Sequence, residues 1–274
     1  MSAPHFPHPP HRSWLFVPGN RPDRFDKAMA AGASAVIIDL EDAVPPSDKA
    51  RARDSVRAWL SPTRNIYLRV NAPDSPWFAD DLSLCAGDGV AGIVLPKAER
   101  ASDIDRLTSA GARQVLPLIE SAQGLWNAKL LACQPNVLRL LFGNIDFSVD
   151  MGIGGDDDEL LATRSQLVLV SRVAGIQAPV DGVTTDIDDA AAILRDTGRA
   201  RRLGFGGKLC IHPRQVQHVN AGFRASEQQI AWARKVLAAA SESGGAAVAV
   251  DGRMIDRPVI LMAQEILADS AGGQ

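Results

Sequence analysis

Residues 115–124 read VLPLIESAQG, and residues 137–152 read VLRLLFGNIDFSVDMG. Each stretch opens with an apolar run lacking alternation, 115–119 and 137–142, as expected of strands covered on both faces. Each run closes near a carboxylate. Glu120 stands where the first stops, and Asp146 lies just past the Gly143-Asn144 turn that ends the second, with helix-like NAKLLACQ, 127–134, between them. Parallel strands joined by helices open their carboxyl ends onto one rim, where active sites are assembled. Glu120 and Asp146 would then be two hard oxygen ligands facing one point. That suits Mg²⁺, which takes one or two carboxylates and fills its octahedron with waters and substrate oxygens. The same spacing fits a plainer arrangement in which Glu120 caps a helix starting at Ser121 and Asp146 belongs to a turn.

The same beat runs through most of the chain. Strands are expected at 14–17, 35–40, 66–70 and 92–95, then at the two runs above, and again at 178–183 and 207–211. Helices are expected between them at 21–31, 47–60, 77–86, 102–110, 160–176 and 187–203. Eight strand–helix units predict an α/β fold of the TIM (β/α)₈ barrel type, with a doubly wound open sheet as the alternative. Three segments follow: a flexible N-terminal arm over 1–12, a barrel over 13–222, and an extension over 223–274. The arm is proline-rich and carries His5, His8 and His11, but flexible spacing preorganises no metal site. In the extension, helices at 226–240 and 258–267 flank a short strand at 248–250 and the turn Asp251-Gly252. Pro258 sits at the start of the last helix, where its missing donor costs nothing. This helical extension reads as a lid and oligomerisation element.

With 274 residues, 46% hydrophobic and 22% charged, the chain can bury a full core. Its net charge of -3 gives no sign of nonspecific attraction to nucleic acid or to an anionic membrane. Cys85, Cys133 and Cys210 are odd in number and lack metal-type spacing, which predicts a reducing, cytoplasmic setting without disulfides. No apolar run reaches the roughly 18 residues that span a bilayer.

The polar residues at strand ends define the expected site: Pro18-Gly19-Asn20, Asp39 with Glu41 and Asp42, Arg69 with Asn71, and Pro96-Lys97, besides Glu120 and Asp146. Arg69 has the planar fork that grips a carboxylate with two parallel hydrogen bonds. A salt bridge to Glu41 or Asp42 that only balances their charge fits the same position. Asp39, Glu41 and Asp42 are expected to stand behind the site, orienting waters and bases. A metal-chelated organic acid is the ligand class these groups suit.

SWLFVPGNRPDRF (13–25), VIIDLEDAV (36–44), LRVN (68–71), VLPKAE (94–99), LIES (118–121) and FGNIDF (142–147), with the later IHPRQ and GRMIDRP, resemble the citrate lyase β-subunit-like family of the HpcH/HpaI aldolase superfamily. The resemblance spans Arg12 to Pro258. It implies a TIM barrel in which Mg²⁺ serves to make or break a carbon–carbon bond between an acyl-CoA thioester and a 2-oxo acid. By motif it implies Glu120 and Asp146 as metal ligands, Arg69 as the group holding the oxo-acid carboxylate, and Pro18, Gly19, Asn20, Arg21, Arg24 and Lys27 as the part receiving CoA. It further implies Asp256, in Met254-Ile255-Asp256, as an acid–base donated to a neighbouring subunit's barrel, and so a homo-oligomer built on trimers. Read alone, Asp256 also fits an N-cap for the helix at Pro258, and the basic residues of 21–27 a solvated face. Alternatives are an aldolase acting on a free 2-oxo acid and an aldehyde, and a citrate lyase β subunit whose thioester is carried on an acyl carrier protein.

Overall fold

The computed structural model describes residues 11–242, 248–250 and 252–271, so most of the expected arm, with His5 and His8, lies outside the described residues. Eight parallel strands follow in order: β1 (Ser13–Pro18), β2 (Ala35–Asp39), β3 (Ile66–Arg69), β4 (Val90–Leu95), β5 (Val115–Ile119), β6 (Leu141–Phe142), β7 (Val180–Asp181) and β8 (Gly207–Cys210). Each pairs with the next, and β1 pairs with β8 through Trp14 and Leu209, so the sheet closes into a barrel and the open-sheet alternative falls away. The helices are α1 (Phe25–Met29), α2 (Lys49–Trp59), α3 (Phe78–Asp81), α4 (Ala101–Ser109), α5 (Ala122–Trp126), α6 (Ala128–Ala132), α7 (Asn144–Met151), α8 (Leu161–Ala174), α9 (Ala190–Leu203) and α10 (Pro213–Gly222).

The inward face of the strands builds the core from Trp14, Ala35, Ile37, Tyr67, Val94, Leu116, Leu118, Leu141, Val180 and Leu209. Each buried aliphatic side chain stabilises the fold by about 1.5–3 kcal/mol relative to exposure. Because side chains alternate with a period of two, the next inward positions on β2, β3 and just past β5 are Asp39, Arg69 and Glu120. The face that builds the core therefore delivers the charged groups to the carboxyl mouth.

Several elements differ from expectation. The run 137–142 contributes only Leu141 and Phe142 to a ladder, because Val137 forms an isolated bridge with Val115 and Arg139 turns inward at the barrel's amino end. The expected strand over 178–183 likewise shrinks to Val180–Asp181. Helix 21–31 is a 3₁₀ turn over Pro22–Arg24 followed by α1, which ends before the left-handed Gly32 (φ 77°). Asp146 lies in the first turn of α7 rather than in a loop.

The chain divides into two compact units, the second starting at Phe223. It contains α11 (Glu227–Glu242), the antiparallel pair β9 (Val248–Val250) and β10 (Arg253–Ile255), and α12 (Arg257–Ala271). Ala233, Val236, Ile255 and Ala263 are its buried core. Among the described residues no helix is long and apolar enough to cross a membrane.

Candidate active site at the carboxyl mouth

Glu120 follows β5 and is only 5% exposed. Its Oε2 accepts a hydrogen bond from the Lys97 backbone N–H at 2.8 Å. Lys97 directs that N–H from a left-handed conformation (φ 46°), strained for a residue with a side chain. On the other side the carboxylate lies against Gly143, where an added Cβ would stand 2.4 Å from Glu120 Cγ and 2.8 Å from Oε1. A side chain at 143 would fill the space the carboxylate occupies. Asp146 is exposed in the next turn, near enough to repel Glu120. Burial, then Glu41, with a smaller push from Asp146, raises the Glu120 pKa to about 8 against the pull of Arg69 and the Lys97 N–H.

Arg69 ends β3 beside Asp39 at the end of β2, a register neighbour. Its Nε and Nη2 grip Asp39 Oδ1 and Oδ2 at 2.7 and 2.6 Å, so the fork expected to take a ligand carboxylate is occupied from within. What Arg69 turns elsewhere is Nη1, 3.0 Å from Glu41 Oε2 and 3.4 Å from Asp42. The Glu41 approach attracts without hydrogen-bond alignment, and Oε2 is left as a buried oxygen without a hydrogen bond. Burial raises Glu41 to about 7, with Arg69 and Lys97 opposing and Asp42 adding to the rise. For Asp39 burial pushes upward, but the Arg69 charge and bonds hold it below the usual carboxylate range. Lys97 Nζ meets Glu41 Oε1 at 3.0 Å, and buried Lys49 donates to the carbonyls of Leu40 and Glu41 at 2.7 Å each, pinning the segment that carries Glu41 and Asp42.

The mouth thus gathers Asp39, Glu41, Asp42, Glu120 and Asp146 around Arg69, Lys97 and Lys49. Were all five carboxyls ionised they would exceed the three cations by two charges, the charge of one divalent ion; without an ion, burial and Glu41 keep Glu120 protonated up to about pH 8. Glu120 and Asp146 could each offer such an ion an oxygen donor. Among the described residues no group of three or more His, Cys, Asp or Glu side chains is arranged around a metal position, so water and ligand oxygens would complete any shell.

The Pro18 to Lys27 segment borders β1. Gly19 donates its N–H to the Asp39 carbonyl at 2.8 Å, and a Cβ there would meet Leu40 at 2.8 Å and that carbonyl at 2.9 Å. Asn20 binds Asp48 at 2.9 Å, Arg21 pairs with Asp23 at 2.9 Å, and Arg24 and Lys27 are exposed. Asp256 belongs to the second unit, where its Oδ1 accepts from Val259 N at 3.3 Å, the bond of a helix cap. Lys97 stood among the expected strand-end residues without a role of its own, and Lys49 and Gly143 had no part in the expected site. A left-handed lysine and a buried lysine leave no pattern in a sequence, whereas Gly143, on the rim between the two carboxylates, could have been singled out.

The family model for HpcH/HpaI aldolase/citrate lyase matches residues 12–213. A citrate lyase subunit beta-like protein of Deinococcus radiodurans is 36% identical over 280 residues, covering 95% of this chain and 97% of that protein. A (3S)-malyl-CoA thioesterase of Cereibacter sphaeroides is 33% identical over 271 residues, covering 94% of each. Among solved structures, CitE from Mycobacterium tuberculosis in complex with magnesium, acetoacetate and coenzyme A superposes with a TM-score of 0.86 at 33% identity, covering 96% of this chain and 99% of that one.

Proposed function

The chain belongs to the HpcH/HpaI aldolase/citrate lyase family, and from that premise we propose a Mg²⁺-dependent lyase that cleaves or forms a 3-hydroxyacyl-CoA thioester from acetyl-CoA and a 2-oxo acid. The observation that carries the reading is the excess of carboxyls over cations around Glu120, whose carboxyl group lies in a cradle kept open by Gly143. The donor set fits Mg²⁺: two carboxylates, hard oxygens, one buried and one accessible. Glu120 and Asp146 would hold the ion. When bound, Mg²⁺ supplies a Lewis acid that polarises the oxo-acid carbonyl and lowers the pKa of the corresponding hydroxyl.

The remaining steps fall to the chain's own groups. Asp39, held by two bonds, fixes the guanidinium plane of Arg69, and the edge carrying Nη1 pairs with the oxo-acid carboxylate. Lys97 fixes Glu120 through its backbone and screens Glu41 through its ammonium. Gly19, Asn20 and Arg21, with Arg24 and Lys27, receive the CoA end. Asp256 exchanges the proton of the thioester enolate, donated to a neighbouring copy within a trimer or a multiple of trimers; a positioned acid–base of this kind contributes about 10²- to 10⁴-fold.

A relative that is a malyl-CoA thioesterase favours a second reading, hydrolysis of the thioester. Malyl-CoA with Mg²⁺ separates the two. A lyase releases acetyl-CoA and glyoxylate, whereas a thioesterase releases CoA and malate. A panel extended to citramalyl- and citryl-CoA, read by oxo-acid release, identifies the acid. No oxo acid from any of them defeats the lyase reading. Mixing inactive Asp256→Ala with inactive Glu120→Ala protomers should restore part of the activity, and a fully active monomer would remove the shared-site element.

A further inference from the structure

Asn144 opens α7, two positions before Asp146, yet it is 3% exposed. Its carboxamide pairs with the backbone of Val183 in both directions: Oδ1 accepts from Val183 N at 2.9 Å, and Nδ2 donates to Val183 O at 3.1 Å. A residue on a neighbouring strand would pair in this way. The pairing stands just past the carboxyl ends of β6 and β7, two residues each and joined at the single register pair Leu141–Val180. The close approach demands glycine at 182, where a Cβ would lie 2.1 Å from Asn144 Oδ1.

Nδ2 also donates to Asp156 Oδ1 at 2.9 Å. Arg164 holds Asp156 at 2.9 and 3.0 Å, and Arg199 holds it at 2.7 Å. Arg164, wholly buried, turns its Nε to Asp181 at 2.8 Å, and Asp181 is two residues before Val183. The contacts close into a ring: Val183, Asn144, Asp156, Arg164, Asp181 and back along the chain. Such a ring resists deformation, because displacing one member strands a desolvated charge or amide. Asp146 is exposed, so its place follows from the first turn of α7, and that turn is anchored by Asn144.

We infer that Asn144, locked by Asp156 and Arg164, is the positioning residue that sets Asp146 against Glu120 for a divalent cation. The inference rests on reading Glu120 and Asp146 as the metal pair. Outer-shell partners of metal ligands typically change affinity by about 10- to 100-fold when replaced, and the ring predicts that range.

The test is calorimetric titration of the full chain with Mg²⁺ alone, together with thermal unfolding of each variant. Asn144→Asp keeps the acceptor for Val183 N but faces a carboxylate toward Asp156 and the Val183 carbonyl. Mg²⁺ binding should weaken by about 10- to 100-fold, although an added negative charge acting only through space would tighten it. Asn144→Asp/Asp156→Asn restores a donor opposite the new acceptor and should recover part of the loss. If Asn144→Asp does not fold, Asn144→Ala and Asp156→Asn carry the test, with weakened binding expected in both. A folded Asn144 variant with wild-type Mg²⁺ affinity, whatever its melting temperature, overturns the inference when Asp146→Ala has lost binding. If Asp146→Ala binds as wild type does, the metal-pair reading fails and the inference fails with it.

Discussion

The two mouths of the barrel each bury an arginine, and they treat it in opposite ways. At the carboxyl mouth Arg69 is gripped by Asp39 and flanked by Glu41 and Asp42, among more carboxylates than cations. At the amino mouth Arg139 is wholly buried, and among the described residues its bonds run to carbonyls alone: Ala178 through Nε at 2.8 Å and through Nη2, Pro179 and His11 at 3.4 Å each. Burial pulls its pKa down to about 9. Trp14, Tyr67 and the half-buried His11 pack their rings together beside it. Burial of charge is therefore not by itself a mark of function. The amino mouth meets its buried cation with neutral acceptors, whereas the carboxyl mouth holds Glu41 and Glu120 as buried acids with raised pKa values.

Four experiments would break or sharpen this contrast. The largest effect is expected from Glu120→Ala and Asp146→Ala, each reducing turnover about a thousandfold, since metal polarisation is worth several kcal/mol at 1.36 kcal/mol per tenfold. Appreciable turnover in excess chelator would end the contrast outright. Arg69→Lys comes next, with a loss of about 2–5 kcal/mol in kcat/KM, because an ammonium keeps the charge but neither holds Asp39 by two bonds nor presents a fixed edge. Normal kinetics with every oxo acid would leave Arg69 as charge balance only.

At the other mouth Arg139→Met should cost about 1–3 kcal/mol of stability through the stranded Ala178 and Pro179 carbonyls and leave kcat unchanged. A fall in kcat without a fall in stability would show that the amino mouth is not merely structural. The smallest effect is on pH. Glu120 holds its proton up to about pH 8 in the folded protein and to its ordinary 4.5 when unfolded. Its contribution to stability without Mg²⁺ is therefore full below 4.5 and lost as pH rises through 8. On the proposed ligation by Glu120, Mg²⁺ must displace that proton, so affinity should rise between pH 6 and 8 by at most about tenfold per unit, with proton uptake by the buffer measured calorimetrically. Affinity independent of pH would place the ion elsewhere.

Where a strand is both apolar and paired along its length, as in β2 and β5, an unbroken branched run identifies it in sequence. The run 137–142 misled because apolar residues can be buried at the end of a barrel without joining a ladder, and Arg139 within it turns to seal that end. The charged ring was legible for a related reason: alternation along β2 and β3, and one step past β5, carries core residues into Asp39, Arg69 and Glu120. Pairing within the ring was not legible. Spacing shows that Asp39, Glu41 and Asp42 lie near Arg69 but not which of them takes the fork, and register at β2–β3 decides it. Asn144 read as half of a turn because its partners, Val183 and Asp156, lie 39 and 12 residues away.

The barrel is filled rather than hollow: inward side chains from Trp14 to Leu209 occupy its axis, and Arg139, Trp14 and Tyr67 pack together at the amino end. Whatever lies beside Glu120 therefore enters and leaves by the carboxyl rim alone. Reactants and products share one doorway, so a bulky side chain added on that rim should slow the arrival and departure of every ligand alike.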